Sequence, residues 1–462
     1  MLSGLEAVEV RLSDALRENA IFRMDSEYFL REDIRLLQEL RDHGCQALSV
    51  IARVTDGIHE AIRFDEKSGI RLLSARFVRE NFFDFSEAEF ISREHHELNP
   101  RTSLRPGDVI VSSTGTIGNC AVIEKRHLPA NADRDVGIVR LGKRVPPEFV
   151  STFLLSRFGR FQMRRESTGS VQLHLFLMKF DALKIPCISE KLMQAVAMHV
   201  REASGMLLRQ EQLIEATEGL LFSGLGLFAW RSSEQLGCSR TACEVFGAGR
   251  FDAEYFSPRY QSLLTLLRRQ GKTLREVARV REDIFTPEAG EPFHYIEIGD
   301  LSSDGAATSQ VVAGEEAPSR ATWIVQGGDV VTSTVRPIRC LTGLIEPEQA
   351  GHVCSSGFAV LTPKGIPSEL LFAYLRLPVM CELMDLHTTA SMYPAISTGD
   401  LMRLPFLLPD EETIKKVKRQ VTAARAARRE AHELLERAKR AVEVAIENGE
   451  AAGMAVLKAT RG

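Results

Sequence analysis

The chain has 462 residues, 44% hydrophobic and 26% charged, an ordinary globular composition with room for two or more cores. Its formal net charge is −4 and its pI near 6.3. A dedicated nucleic-acid binder usually carries a basic excess, so this balance argues against a lone DNA-binding protein and suits one member of an assembly whose partners supply most phosphate contacts.

Residues 1–20 read as a short strand-and-turn lead-in, where Glu6, Glu9 and Arg11 interrupt any apolar run. Neither a signal peptide nor a membrane span is expected, which places the chain in the cytoplasm. Glu32–Arg41, with Ile34, Leu36, Leu37 and Leu40 apolar, predicts an amphipathic helix. Val109–Ser112 and Ala121–Ile123 predict strands around a Gly/Thr turn, and Gly137–Leu141 predicts another strand. Pro147–Phe161 predicts a helix, and Leu183–Pro186 a closing strand halted by proline.

From 189 to 222 the text changes. Leu192, Val196, Val200, Ala203, Leu207, Ile214 and Leu221 recur at helical steps or their multiples, with no proline between Ser189 and Ser223. This predicts a long helix with one apolar seam, ended by Gly224 and Gly226. A second mixed region runs from Arg250 to about Leu408. Ile414, Val417, Val421, Ala424, Ala431, Leu435, Ala438, Val442 and Ala445 then keep a heptad-like rhythm, interrupted at Arg428. The two seams can bury each other. The tail 448–462 is small and polar, and is expected to fray.

The chain repeats itself. Arg23-Met-Asp25-Ser-Glu27-Tyr28-Phe29 returns as Arg250-Phe-Asp252-Ala-Glu254-Tyr255-Phe256. The Gly107-Asp108-Val109-Ile110-Val111-Ser112-Ser113-Thr114 block returns as Gly328-Asp329-Val330-Val331-Thr332-Ser333-Thr334. Asp181-Ala-Leu183-Lys-Ile185-Pro186 returns as Asp400-Leu-Met-Arg-Leu404-Pro405. A period of about 220 residues is domain-sized, not that of a solenoid. Two similar surfaces in one chain suit a partner with quasi-repeating geometry, of which DNA is the commonest.

These motifs, with the Gly169-Ser-x-Gln172 segment and a long helix after each copy, resemble the specificity (S) subunits of type I restriction–modification systems over nearly the whole chain. The resemblance implies an α+β chain of two tandem mixed α/β target-recognition domains, each followed by a long helix, the two helices packed as a coiled-coil spacer. The expected boundaries are domain one 1–188, helix 189–223, linker 224–249, domain two 250–408, helix 409–447 and tail 448–462. It further implies a non-catalytic chain that reads a bipartite double-stranded DNA target. Its implied partners are two adenine methyltransferase (M) subunits and restriction (R) subunits. S-adenosylmethionine, ATP and magnesium would belong to those partners, with no cofactor bound here. The second copy departs from the pattern at Ser333-Thr-Val-Arg336-Pro-Ile-Arg339, which lacks the Gly115-Thr-Ile-Gly118 turn of the first.

A helix of about 33 residues spans roughly 50 Å at 1.5 Å per residue. Half-sites on one face of B-DNA recur every ~34–36 Å, so such a helix pair could set the gap between them. Base readout needs donors and acceptors, while phosphate contacts set register. Candidate DNA contacts in copy one are Ser113, Thr114 and Thr116 in the turn, the arginine patch Arg160, Arg164 and Arg165 (with Arg157), then Gln172 and His174. In copy two they are Arg336 and Arg339, with Thr389, Ser391 and Tyr393. Each set has an ordinary alternative, a bonded turn or a solvated helix face. The same holds for Lys415, Lys416, Lys418 and Arg419.

Enzyme motifs are missing. Asn99-Pro100-Arg101 lacks the second proline and aromatic of an amino-methyltransferase, and no Walker A pattern occurs. Pro409-Asp410, Glu412 and Lys415 only superficially match a nuclease set, because acidic residues suit a helix start. The eight scattered cysteines contain no Cys-x-x-Cys pair, so reduced thiols are expected and no metal site. Two rivals remain: a scaffold with twin protein-binding domains, and a specificity subunit of another phage-defence modification complex.

Overall fold

The computed structural model describes residues 11–13, 23–169, 173–229, 237–389 and 392–459. Most of the expected lead-in therefore lies outside the described residues. The chain divides into two compact units, Met1–Leu207 with Arg428–Gly462, and Leu208–Ala427. The division falls inside both long helices, Glu190–Gly224 and Glu411–Asn448, so each unit takes part of each helix.

The first unit is built on a four-stranded antiparallel sheet in the order Ala52–Asp56, Val136–Leu141, Val109–Ser112, Cys120–Val122. Its central strand Val109–Ser112 is buried throughout, because both faces are covered. Val109 and Val111 face a core with Phe149, Phe153 and Phe158. Ile110 faces the other way, toward Leu73, Val78 and Leu104. Alternate side chains of a strand point to opposite faces, which is why an unbroken apolar run can serve two cores. Beyond the second core lies a three-stranded sheet, Glu89–Phe90, Arg71–Leu73 and Ala130–Ala132, whose last two strands are parallel.

The second unit repeats this plan. Its four-stranded sheet runs Ala278–Val280, Phe358–Pro363, Val330–Ser333, Thr342–Leu344. Val330 and Val331 again face two different cores. A further sheet contains the parallel pair Phe293–Ile296 and Val353–Ser355. The closing strand differs in extent. Cys45–Ala47 pairs with Lys184–Pro186 in the first unit, whereas a single bridge, Thr273 to Pro405, stands there in the second.

Inside the first unit Leu192, Val196, Val200 and Ala203 share a core with Ala431, Leu435, Ala438, Val442 and Ala445. Inside the second, Leu221 shares a core with Val417 and Val421, and Thr217 Oγ1 donates to Gln420 Oε1 at 3.2 Å. Most of the seam residues read from the sequence are thus buried, while Leu207, Ile214 and Ile414 are half-buried.

Three local expectations change. The helix expected over Pro147–Phe161 is two helices, Pro147–Leu155 and Arg157–Glu166, broken where Ser156 adopts an extended backbone (ψ 165°). The Gly/Ser/Cys-rich linker holds a capped helix, Ala242–Ala248. The tail expected to fray forms the helix Glu450–Lys458 instead, with Leu457 buried. Gly453 makes that docking possible, since a Cβ there would stand 2.6 Å from the Ala441 carbonyl oxygen.

Candidate nucleic-acid interface

The motifs that repeat between the copies build the frame. Asp108, buried, accepts the Arg105 N–H at 2.9 Å and pairs with Arg140. Asp329, equally buried, accepts the Gln326 N–H at 2.9 Å and pairs with Arg281. Each carboxylate ties the turn that launches the central strand. The Arg-x-Asp-x-x-Tyr motif is a clamp. Arg23 is held by Asp25, lies over the Tyr28 ring, and donates to the carbonyls of Arg165 and Ser167 at 2.7 and 2.9 Å. Arg250 does the same with Asp252, Tyr255 and the Leu386 carbonyl. Both arginines satisfy carbonyls left unpaired at a helix C-terminus, the negative end of its dipole.

On this frame two segments meet at one end of the four-stranded sheet. In copy one the hairpin after Val109–Ser112 carries Ser113, Thr114 and Thr116, and Thr168 with His174 and Leu175, the described ends of a strap, lie against it. Thr168 and His174 exchange backbone hydrogen bonds at 3.0 and 2.8 Å, and Leu175 N–H donates to the Ser113 carbonyl at 2.9 Å. Thr114 Oγ1 and His174 Nδ1 lie 2.7 Å apart. Ser113 is buried, so its hydroxyl belongs to the frame, whereas Thr116 is exposed. Gln172 lies outside the described residues.

The arginine patch is spent on internal partners. Arg157 pairs with Glu447, and Arg160 with Glu80 at 2.6 Å. Arg164 pairs with Asp33, which is 1% exposed. Arg165 donates to the Tyr28 carbonyl at 2.9 Å and stacks on the Tyr28 ring. Burial, with the neighbouring Glu166 opposing Arg165, pushes the Tyr28 hydroxyl up to about 12. The helix end expected to face phosphate is thus largely neutralised from within. On the second long helix Lys415 and Lys416 likewise pair with Glu411 and Glu412.

Copy two has the same hairpin and strap. Thr389 and Ala395 exchange backbone bonds at 2.9 and 3.1 Å, and Ile396 N–H donates to the Thr334 carbonyl at 2.9 Å. Ala395 therefore stands where His174 stands in copy one, and Thr389 where Thr168 stands. Ser391 lies outside the described residues. Arg336 N–H donates to the Pro394 carbonyl at 2.8 Å, and its guanidinium lies 5.7 Å from the Tyr393 ring centroid. Arg339 is exposed on the same turn.

The missing Gly-Thr-Ile-Gly turn has a structural resolution. Gly115 and Gly118 have φ of 72° and 88°. The corresponding turn of copy two uses φ of 48° at Arg336 and 55° at Cys340. The left-handed conformation is retained without glycine, at a cost of roughly 1–2 kcal/mol per residue.

Sequence reasoning missed the exposed apolar tips. Ile338 and Met392 in copy two, and Leu173, Phe176 and Met178 in copy one, are 46–76% exposed, beside Tyr393, which the sequence does single out, at 67%. Nothing in their residue type separates them from core positions. Among the described residues no group of three or more His, Cys, Asp or Glu could hold a metal ion, and no helix is long and apolar enough to cross a membrane.

No protein-family model and no curated protein matches the chain. Solved structures do. The type I restriction-modification system S subunit from M. genitalium is 11% identical, with TM-score 0.40, covering 87% of this chain and 94% of its own. The HsdS subunit from Thermoanaerobacter tengcongensis is 15% identical, with TM-score 0.28, covering 88% and 96%. The type IIG restriction endonuclease BpuSI is 11% identical, with TM-score 0.30, covering 38% and 28%.

Proposed function

We propose that the chain is the DNA sequence-specificity subunit of a type I restriction–modification system. Each unit reads one half of a split target through its hairpin and strap. The two long helices pack as a coiled-coil spacer that sets the unread gap. The chain positions adenine methyltransferase subunits, two per complex, and restriction subunits, and performs no chemistry itself.

One observation carries this reading. The frame repeats between the units down to its backbone hydrogen bonds, while the residues at the hairpin and strap differ: exposed Thr116 and half-buried His174 against exposed Arg336, Arg339 and Tyr393. A constant scaffold with different tips suits two readers of two different half-sites. The neutralised arginine patch and the net charge of −4 fit phosphate contacts supplied by partner subunits. The same charge balance is what a protein-binding scaffold would have, which keeps that reading as the rival.

Methylome sequencing of a host expressing this chain with its methyltransferase partner tests the proposal. Modified adenines in one split motif are expected. Methylation without such a motif, or a motif unchanged when the chain is absent, would overturn it.

A further inference from the structure

We infer that Arg336 is a specificity-determining residue that reads a guanine in the half-site assigned to the second unit. The inference rests on the proposed reading of split DNA and adds a residue and a base to it.

Four observations converge on this side chain. Arg336 holds φ 48° at the turn position where the first unit has Gly115 at φ 72°. A left-handed backbone disfavours any residue with a Cβ, so the turn geometry alone would select glycine. The protein also gives the guanidinium little to do. Its side-chain hydrogen bond is a long one, 3.4 Å to the Met392 carbonyl, and among the described residues it makes no ion pair. The arginines of the first unit's patch, by contrast, are all paired internally.

Third, the backbone is braced. Arg336 N–H is tied to Pro394, and the next residue, Pro337, is buried with its own φ fixed by its ring. Fourth, the guanidinium carbon lies 5.7 Å from the ring centroid of Tyr393, itself 67% exposed, a cation–π distance that ties the arginine to the strap. The result is a braced, solvent-facing set of N–H donors with no ion pair among the described residues.

A guanidinium has five donors and no acceptor. In the major groove guanine presents two adjacent acceptors, O6 and N7, whereas adenine pairs an acceptor with a donor. The fork therefore matches guanine and mismatches adenine. A phosphate would also accept from it, but a phosphate contact tolerates lysine, since it needs charge more than a planar pair of donors.

The test uses the full chain with whatever subunit co-purifies, a randomised double-stranded DNA library, and the variants Arg336→Gly and Arg336→Lys. The wild type is expected to enrich a split motif with a fixed guanine in one half. Both variants should keep the other half and the gap; Arg336→Gly should lose preference for that guanine by about tenfold or more, and Arg336→Lys, which can reach O6 and N7 without the rigid fork, should lose less. Arg336→Gly should melt no lower than the wild type, because it relieves the backbone. A guanine preference surviving in Arg336→Gly overturns the inference. So does loss of both halves together with a lowered melting temperature, which would mark a structural role. A wild type that enriches no split motif overturns the bipartite reading itself, a result distinct from the other two.

Discussion

Arg250 Nη2 donates to the carbonyl of Leu386 at 2.8 Å, closing the last turn of the helix Pro378–Leu386. Arg23 closes Arg157–Glu166 in the other unit through the carbonyl of Arg165. The most recognisable sequence motif of this chain is therefore an anchor. It pins the entering segment to the helix that precedes each strap.

That anchor predicts a stability phenotype. Arg23→Ala and Arg250→Ala should each destabilise their own unit by about 1.5–3 kcal/mol, the range for hydrogen bonds to charged groups. Both guanidinium groups are mostly sheltered, at 17% and 25% exposure, so solvent screening is modest. Chemical denaturation followed by limited proteolysis would locate the loss. A variant whose loss falls in the opposite unit would contradict the clamp.

Arg164 should also act on stability more than on DNA. Its partner Asp33 is 1% exposed, and its second oxygen, Oδ2, has no hydrogen-bond partner. Burial raises the Asp33 carboxyl above its usual range, and Arg164 opposes the rise. Arg164→Ala should cost about 1–3 kcal/mol, discounted for the 60% exposure of the arginine. Asp33→Asn on that background should recover part of the loss, as thermal melts of the single and double variants would reveal. Additive losses would mean that the pair is not coupled.

The pairing explains what the sequence could and could not display. The strands, the amphipathic first helix, the duplicated frame and both long helices follow from local periodicity, and they stand where the spacing puts them. The fate of Arg160 and Arg164 could not be read that way, because Glu80 and Asp33 lie far off along the chain. The break at Ser156 is marked only indirectly, by Gly159 three residues on, where a Cβ would stand 2.4 Å from the Leu154 carbonyl oxygen. The left-handed turn at Arg336 was hidden because its usual marker, glycine, is absent while the conformation persists. Backbone bonding places Ala395 at the position that His174 holds in the first copy, an equivalence that residue identity does not reveal.

Asp135 predicts a pH dependence. Its backbone carbonyl accepts the Ser113 N–H, so it lies beneath the first reading hairpin. Burial pushes its carboxyl from 3.8 up to about 6, partly offset by the hydrogen bond from Ala75. Below the unfolded value both states hold the proton and no stability is lost. Between about 4 and 6 the unfolded chain releases the proton first, so stability falls as pH rises. Above that the loss is complete. Asp135→Asn should therefore be more stable than the wild type at pH 7, by about 1 kcal/mol after discounting for partial exposure. The difference should vanish near pH 4 in parallel denaturation series. A gap that widens toward low pH would contradict the assignment.

The spacer makes the last prediction. The boundary between the units falls after Leu207 in one long helix and after Ala427 in the other. Seven residues inserted at both places keep the apolar seam in phase, because seven residues are close to two helical turns. They add about 10 Å of helix. At roughly 3.4 Å per base pair that is at most about three more base pairs of unread DNA. Methylome sequencing of the insertion variant should return both original half-sites with a wider gap. Altered half-sites at constant gap would mean that the helices shape the reading loops and do not measure distance. An insertion in one helix alone should be far less tolerated, since the packing of Leu192, Val196 and Val200 with Ala431, Leu435 and Ala438 and that of Leu221 with Val417 and Val421 could no longer both be kept.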